Sequence, residues 1–584
     1  MKLFFFNLFV LFLVTACTQT VEVSNQNLST KFEDSKGEET VTYQEGIAYL
    51  QQLDDLFEAF QLKEIGTTDA GLPLHLGILS TDQSFDLERI KEKRVLLINN
   101  GIHPGEPDGV DASLMLLRDI LQDKASYGEW EDVVVAVIPF YNVGGALNRN
   151  SHTRANQEGP VAYGFRGNAQ NLDLNRDFIK MNSRNMETFA SIFHQLDPDL
   201  FIDTHVSNGA DYQYVMTYLA TQEDKLGGKL GEFSRHTVTP FMKDKMREAS
   251  FEMTPYVNVW GTVPDSGYVQ FMDSPRYSSG YTTLFHTLSY VTETHMLKPF
   301  KQRTEATYNF LKEAMIFMKE HGKELKSLRA QTAEQVKQQE DFPIAWELDD
   351  TQKSRLLFKG YKGIYKPSEV SGLPRLYYDR TQPFEKEIDF YNHFKPKTTV
   401  KRPKGYLIPA GWYTVVDKLK RNGVAVQTLS EDTVMDVTVY HIDDFKTRQA
   451  YEGHYLHYDI KVTTQKEQLR ARKGDYFVEA NQASNRYIIE TLEPHATDSF
   501  FAWNFFDAIL QQKEGFSSYV FEDKAAEYLQ KYPEIREALE RKKAADPAFA
   551  KNAYAQLQFV YQQTPHYERA HRRYPVYRVE LLSW

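Results

Sequence analysis

The stretch that most constrains the fold is Val95-Leu-Leu-Ile-Asn-Asn-Gly-Ile-His-Pro-Gly-Glu-Pro107, an apolar run that breaks into a turn holding a histidine and a carboxylate. Val95 to Ile98 has the length and branching of a buried strand, and Asn99, Gly101, Pro104 and Gly105 then supply turn chemistry. His103 and Glu106 therefore fall at a strand's C-terminal edge. Pro107 suits the first position of a following helix, in which Val110, Leu114, Leu117 and Ile120 recur at helical spacing. Open α/β sheets place ligands at such edges.

A histidine and a carboxylate three apart on a loop both reach one cation, and imidazole with carboxylate oxygen is a donor set that Zn2+ accepts. The spacing alone is weak. With 16 His and 80 acidic residues, about two such matches arise by chance. His321 with Glu324 repeats the spacing in a lysine-rich segment that reads as a solvated helix end, and His454 with His457 lies in a Tyr-rich strand.

At 584 residues the chain exceeds one core and should hold two or three domains. A net charge of -12 argues against nucleic acid as a partner. Met1 and Lys2 lead into an apolar run from Leu3 to Val14, too short to span a bilayer and built like a signal peptide. Val14-Thr15-Ala16-Cys17 resembles a bacterial lipobox, which implies cleavage before Cys17, lipid on its sulfur and a mature protein tethered in the cell envelope, at the outer membrane or cell surface. Cys17 is the only cysteine, so intramolecular disulfides and Cys-rich metal sites are excluded. The organisation expected is a signal peptide over 1–16, a flexible polar tether over 17–40, a main domain over 41–325, a helical or loose linker over 326–343, and a β-rich C-terminal domain with appended helices over 344–584.

Within 41–325, Tyr43 to Phe60 has helical periodicity, and strand-like runs cover Leu72 to Ile78, Val95 to Ile98, Val133 to Ile138, Asp199 to Asp203 and Ser289 to Thr292. Pro240 to Ser250 and Lys301 to His321 read as surface helices. Strands alternating with helices mean an α/β fold, a mixed twisted sheet flanked by helices. Beyond the linker, Leu356 to Phe358, Gly405 to Ile408, Val424 to Leu429, Val434 to His441 and Tyr487 to Thr491 read as strands, and Phe500 to Gln563 as helical.

Four more segments put ionisable residues on loops at strand ends. Leu200-Phe-Ile-Asp-Thr-His205 runs an apolar strand into His205, a natural third metal ligand. Asn171-Leu-Asp-Leu-Asn-Arg-Asp177 gathers a carboxylate, an amide and a guanidinium; if extended, it points Asp173, Asn175 and Asp177 to one side. Ser289-Tyr-Val-Thr-Glu-Thr-His295 ends an apolar strand in Glu293, a general base if it stands beside zinc-activated water. Asn148-Arg-Asn-Ser-His-Thr-Arg154 supplies two arginines able to polarise a carbonyl or hold a carboxylate.

In that order, His103-Pro-Gly-Glu106, Asp173-Leu-Asn-Arg176, His205 and Glu293 resemble the zinc carboxypeptidase family of the carboxypeptidase A type, over roughly residues 41 to 325. The chain is also similar to a branch of exported bacterial proteins with a β-rich tail. The resemblance implies one Zn2+ on His103, Glu106 and His205, with Glu293 as general base and Asp173 fixing the His103 tautomer from behind. It further implies Asn175 and Arg176 on the terminal carboxylate of a peptide substrate, and Arg154 on the oxyanion with Arg149 as competitor. For the substrate-capping tyrosine, Tyr268, Tyr277 and Tyr281 compete, with Tyr277 preferred. Arg276 is a candidate selector of an acidic group. Two rival readings are a zinc deacylase or amidase acting on N-acyl amino acids or cell-wall peptides, and a non-catalytic surface binding module on a peptidase-like fold.

Overall fold

Branched apolar runs form the parallel centre of an eight-stranded mixed sheet in the computed structural model, which describes residues 28–580. The strands are β1 (Phe60–Ile65), β2 (Leu74–Leu79), β3 (Arg94–Asn99), β4 (Val133–Ile138), β5 (Leu200–Ser207), β6 (Met216–Ala220), β7 (Met253–Pro255) and, after a short β8 (Tyr268–Val269) outside this sheet, β9 (Leu288–His295). Their order is β1-β2-β4-β3-β5-β9-β6-β7. β4, β3, β5 and β9 run parallel to one another. β4 lies on one side of β3 and β5 on the other, so the chain changes direction there and leaves a crevice beyond the strands' C-terminal ends.

Period-two alternation sorts the core onto two faces. Leu96 and Ile98 pack with the helices Tyr43–Leu56, Asp108–Gln122 and Phe300–Gln338. Val95 and Leu97 face the other way, onto the helix Arg184–Leu196 and onto residues from far along the chain, among them Tyr406, Val415, Tyr487, Trp503 and Tyr574. The two halves of the chain therefore share one core.

The segment expected as a helical or loose linker is helical over most of its length. Residues 326–338 complete a 39-residue helix, Phe300–Gln338, with Leu325, Arg329 and Val336 buried along it. Arg329 ties the helix to the sheet by ion pairs of 2.6 Å to Asp197 and 2.7 Å to Asp199. At the other end, the tether expected through residue 40 is ordered from Leu28: Leu28 and Phe32 are buried, Phe32 meets Phe300 edge-on at 5.6 Å, and Thr30 and Glu33 form a capping box. The low density of large apolar residues hid this, because two well-placed ones suffice. The signal segment and Cys17 lie outside the described residues.

The C-terminal region is built from long hairpins. β10 (Asp341–Leu348) pairs with β13 (Phe394–Lys401), and β11 (Ser354–Pro367) pairs with β12 (Pro374–Tyr391), to which β8 adds a third strand. A six-stranded sheet contains β14 (Gly405–Ile408), β15 (Gln427–Thr428), β16 (Thr433–Thr447), β17 (His457–Ala471), β18 (Tyr476–Glu479) and β19 (Tyr577–Val579). The expected strand Tyr487 to Thr491 is instead part of a helix, Asn485–Leu492, buried on nearly all sides. A short apolar run buried all round carries no period to separate helix from strand. Helices Ser518–Lys531, Pro533–Ala545 and Ala553–Tyr561 pack around a small core of their own. No helix among the described residues is long and apolar enough to cross a membrane.

Candidate functional site

The crevice beyond β3, β5 and β9 holds a cleft of about 640 Å³ lined by His103, Glu106, Arg154, Arg166, Asn175, Arg176, His205, Tyr256, Tyr277 and Glu293, among others. The turn after β3 delivers His103 and Glu106, the end of β5 delivers His205, and pairing of β5 with β9 sets Glu293 opposite His205. Gly101 allows that turn, with φ at +67°.

His103, Glu106 and His205 are buried, and their ligand atoms lie within 4.8 Å of one another, the only such three-residue grouping among the described residues. His205 Nδ1 is 3.0 Å from Glu106 Oε2 and 3.2 Å from His103 Nδ1. Behind each ring stands a carboxylate: Asp173 Oδ1 at 3.0 Å from His103 Nε2, and Asp203 Oδ2 at 2.9 Å from His205 Nε2. Carboxylates accept, so both Nε2 atoms carry the proton and both Nδ1 lone pairs converge with Glu106. Two nitrogen lone pairs and a carboxylate meeting in a buried space suit a small dication, and carboxylates behind ligating imidazoles are the usual support for one. The donor set fits zinc.

The electrostatics agree. Burial disfavours the charged form of Glu106, yet Arg154 and then His103 outweigh it and hold its carboxyl well below the usual range. Burial works against charge on His205 too, but Asp203 and Glu106 raise it well above an ordinary histidine. A dication would take over the role of that proton. Glu293 moves the other way: burial, opposed by His205 and reinforced by Glu106, pushes its carboxyl up to about 8. Asp173, despite burial, is held well below normal by His103 and Arg166.

The arginines divide by placement. Arg154 Nη2 donates to Glu106 Oε1 at 2.5 Å and sits in the cleft, whereas Arg149 donates to the carbonyls of Val41 and Thr40 at 3.1 and 2.9 Å. Arg149 is thus committed to holding the N-terminal segment and does not line the cleft. Arg166, which no motif singled out, donates to Asp173 Oδ2 at 2.8 Å and to His103 Nδ1 at 3.3 Å. Arg176 lines the cleft with its guanidinium 4.5 Å from the Tyr277 ring centre. Residues 174–176 form a single helical turn rather than a strand, so Asp177 is carried away to bind Lys180 and Ser183. Asn175 remains at the cleft with a buried Oδ1 that has no hydrogen-bond partner among the described residues.

Of the tyrosines expected to compete, only Tyr277 lines the cleft. Tyr268 is buried in β8, its hydroxyl donating to the Pro255 carbonyl, and Tyr281 is a core residue donating to Asn422 at 2.6 Å. Tyr256 joins Tyr277 unforeseen. Arg276, the candidate selector of an acidic group, does not line the cleft and is paired with Asp498 at 2.6 Å. The decoy His321 stacks on Phe317 at 5.1 Å, and His457 binds Asp507. Asp203 was readable after all: two residues before His205 on a strand, it shares that residue's face.

Residues 47–253 match the family model described as "Zinc carboxypeptidase"; Glu293 lies beyond that match. Among curated proteins the chain is 21% identical over 430 residues to Carboxypeptidase 2 of Trichophyton rubrum, covering 69% of this chain and 72% of that one. Carboxypeptidase 2 of Trichophyton tonsurans is 21% identical over 445 residues, covering 72% and 76%. Among solved structures, a metallo-carboxypeptidase from Burkholderia cenocepacia is 18% identical with a TM-score of 0.36, covering 48% of this chain and 69% of that one. One from Pseudomonas aeruginosa in complex with (2-guanidinoethylmercapto)succinic acid is 14% identical at the same TM-score of 0.36, covering 47% and 68%. The match over 47–253, which contains the His103–Glu106–His205 donor set, supports a metallocarboxypeptidase hydrolase.

Proposed function

We propose that the protein removes C-terminal residues from peptides, using one zinc ion on His103, Glu106 and His205. The observation that carries this reading is the meeting, in one cleft, of that donor set with Glu293 and three arginines. When bound, zinc supplies Lewis acidity toward the scissile carbonyl and lowers the pKa of water toward ~7. Glu293 takes the proton of the attacking water and returns it to the leaving amine. Arg154 and Arg166 donate hydrogen bonds to the oxygen that gains charge. Arg176, with Asn175, grips the substrate's terminal carboxylate, a planar task suited to a guanidinium, and Tyr277 covers it. A cleft of about 640 Å³ favours a peptide over the smaller enclosed pocket that a deacylase for N-acyl amino acids needs. The presence of Glu293 and all three donors argues against a non-catalytic module.

The test pairs zinc content with turnover of a peptide acid. Glu293→Gln should keep its zinc and lose about 10²-fold or more in kcat. His205→Ala should lose the metal itself. Near-normal turnover in the first variant, or unchanged zinc in the second, would remove that residue from its role. Export with lipid on Cys17 belongs to the same proposal, supported by Val14-Thr15-Ala16-Cys17, and mass spectrometry of the mature N-terminus tests it.

A further inference from the structure

The tip of the β16–β17 hairpin reaches across 275 residues of sequence to the cleft, where the Tyr451 hydroxyl accepts from Arg176 Nε at 3.0 Å. Tyr451 and His454 close the tip by paired backbone bonds of 2.7 and 3.0 Å, with Glu452 and Gly453 between them at φ of +50° and +77°. Two successive positive φ values make the tight turn of a two-residue hairpin, in which glycine is at ease and Glu452 is strained. The strained residue makes a long-range contact. Its carboxylate accepts from the Asp173 backbone N–H at 2.7 Å, and His454 bonds Asn182 beside it.

Tyr451 is itself fixed. Its ring stacks on Trp503 at 6.1 Å and 22°, and the Arg276 guanidinium, locked by Asp498, stands 5.8 Å from the ring centre. Arg176 is then held on three sides: Nε on Tyr451, Nη1 on the Asn175 carbonyl at 2.7 Å, and the Tyr277 ring across its plane. Its Nη2 makes no hydrogen bond to another described residue. Fixing one edge of a guanidinium orients the other, and a fixed donor pair binds a carboxylate with less ordering cost.

We propose that Tyr451, delivered by the C-terminal region, is a positioning residue that holds Arg176 in the pose that receives the substrate's terminal carboxylate. The inference rests on the reading of Arg176 above. It assigns the β-rich region a part in substrate recognition, which the match over 47–253 does not contain.

A double-mutant cycle on the zinc-loaded full chain tests it, with KM and kcat for a peptide acid measured in wild type, Tyr451→Phe, Arg176→Ala and the double variant. Tyr451→Phe keeps the ring and its stacking; it should raise KM about three- to tenfold, the weight of one positioning hydrogen bond, with kcat nearly unchanged. Added to Arg176→Ala, the same change should do almost nothing, because the group it positions is gone. An equal KM rise in both backgrounds, or none in either, would overturn the proposal while leaving Arg176 its role. An unaltered KM in Arg176→Ala would overturn the reading of Arg176, and the positioning role with it. Should Tyr451→Phe melt well below wild type, Tyr451→Met, which fills the slot without a strong acceptor, takes its place in the cycle.

Discussion

Residues 47–253 and residues 341–580 serve the same cleft by different means. The first stretch brings every candidate metal donor and both supporting carboxylates, all but Asp173 at or shortly after a strand end in the central sheet. The second brings no candidate ligand, yet Tyr451 touches Arg176, Glu452 holds the Asp173 amide, and Tyr406, Trp503 and Tyr574 complete the core beneath the sheet. Reactive groups gathered by short loops can be recognised as motifs. Groups that support them through a distant hairpin leave no local pattern, although the fold depends on them as much.

The largest effect that would break this comparison is deletion of residues 341–584. The sheet face bearing Val95, Leu97, Val134 and Ala136 would be stripped of part of its cover, including the fully buried Trp503, whose truncation alone costs about 3–5 kcal/mol. Residues 28–340 should therefore fail to give a cooperatively melting, soluble protein. A fragment with a wild-type melting temperature would show that the two regions are independent.

Next in size is a pH effect at the seam. His286 of the first region is buried against the Ala483 carbonyl of the second at 3.0 Å, and burial, with Arg486 adding to it, pulls its pKa down to about 3. The folded pKa lies below the unfolded value of about 6.5, so the unfolded chain binds more protons between the two, and stability falls as pH drops from about 6.5 to about 3. The full loss for this one group approaches about 5 kcal/mol. His286→Asn, which tolerates the positive φ of 62° there, should flatten that slope in denaturant titrations at stepped pH. An unchanged slope would place the acid sensitivity elsewhere.

Smaller still are the supports of the metal donors. Asp203→Asn, which weakens the carboxylate behind His205, should cost about 10–100-fold in zinc affinity by competition with a chelating dye. Glu452→Ala reaches His103 only through the backbone of Asp173 and should cost less than about tenfold. Equal losses would mean that the C-terminal region supports the metal as well as the substrate.

These contrasts explain what could be read from the sequence. The strands around Val95, Val133, Asp199 and Ser289 were legible because branched runs buried on both faces have no other good reading at that length. His103, Glu106, His205 and Glu293 were legible because each sits where such a run ends. Arg166 was not, since no strand flanks it, and Tyr451 was not, since only the hairpin's reach brings it near Arg176. Tyr487 to Thr491 misled because burial on all sides erases periodicity. The segment from Leu28 misled because polar composition masked Leu28 and Phe32, which anchor it.

The measurement that tests the central claim most directly is mass spectrometry of a defined peptide mixture incubated with the zinc-loaded protein, the chelator-treated protein and Glu293→Gln. The account predicts stepwise loss of single residues from free C-termini in the first sample alone, with C-terminally amidated peptides left whole. Internal cleavage, or amidated peptides shortened as fast as acids, would contradict it.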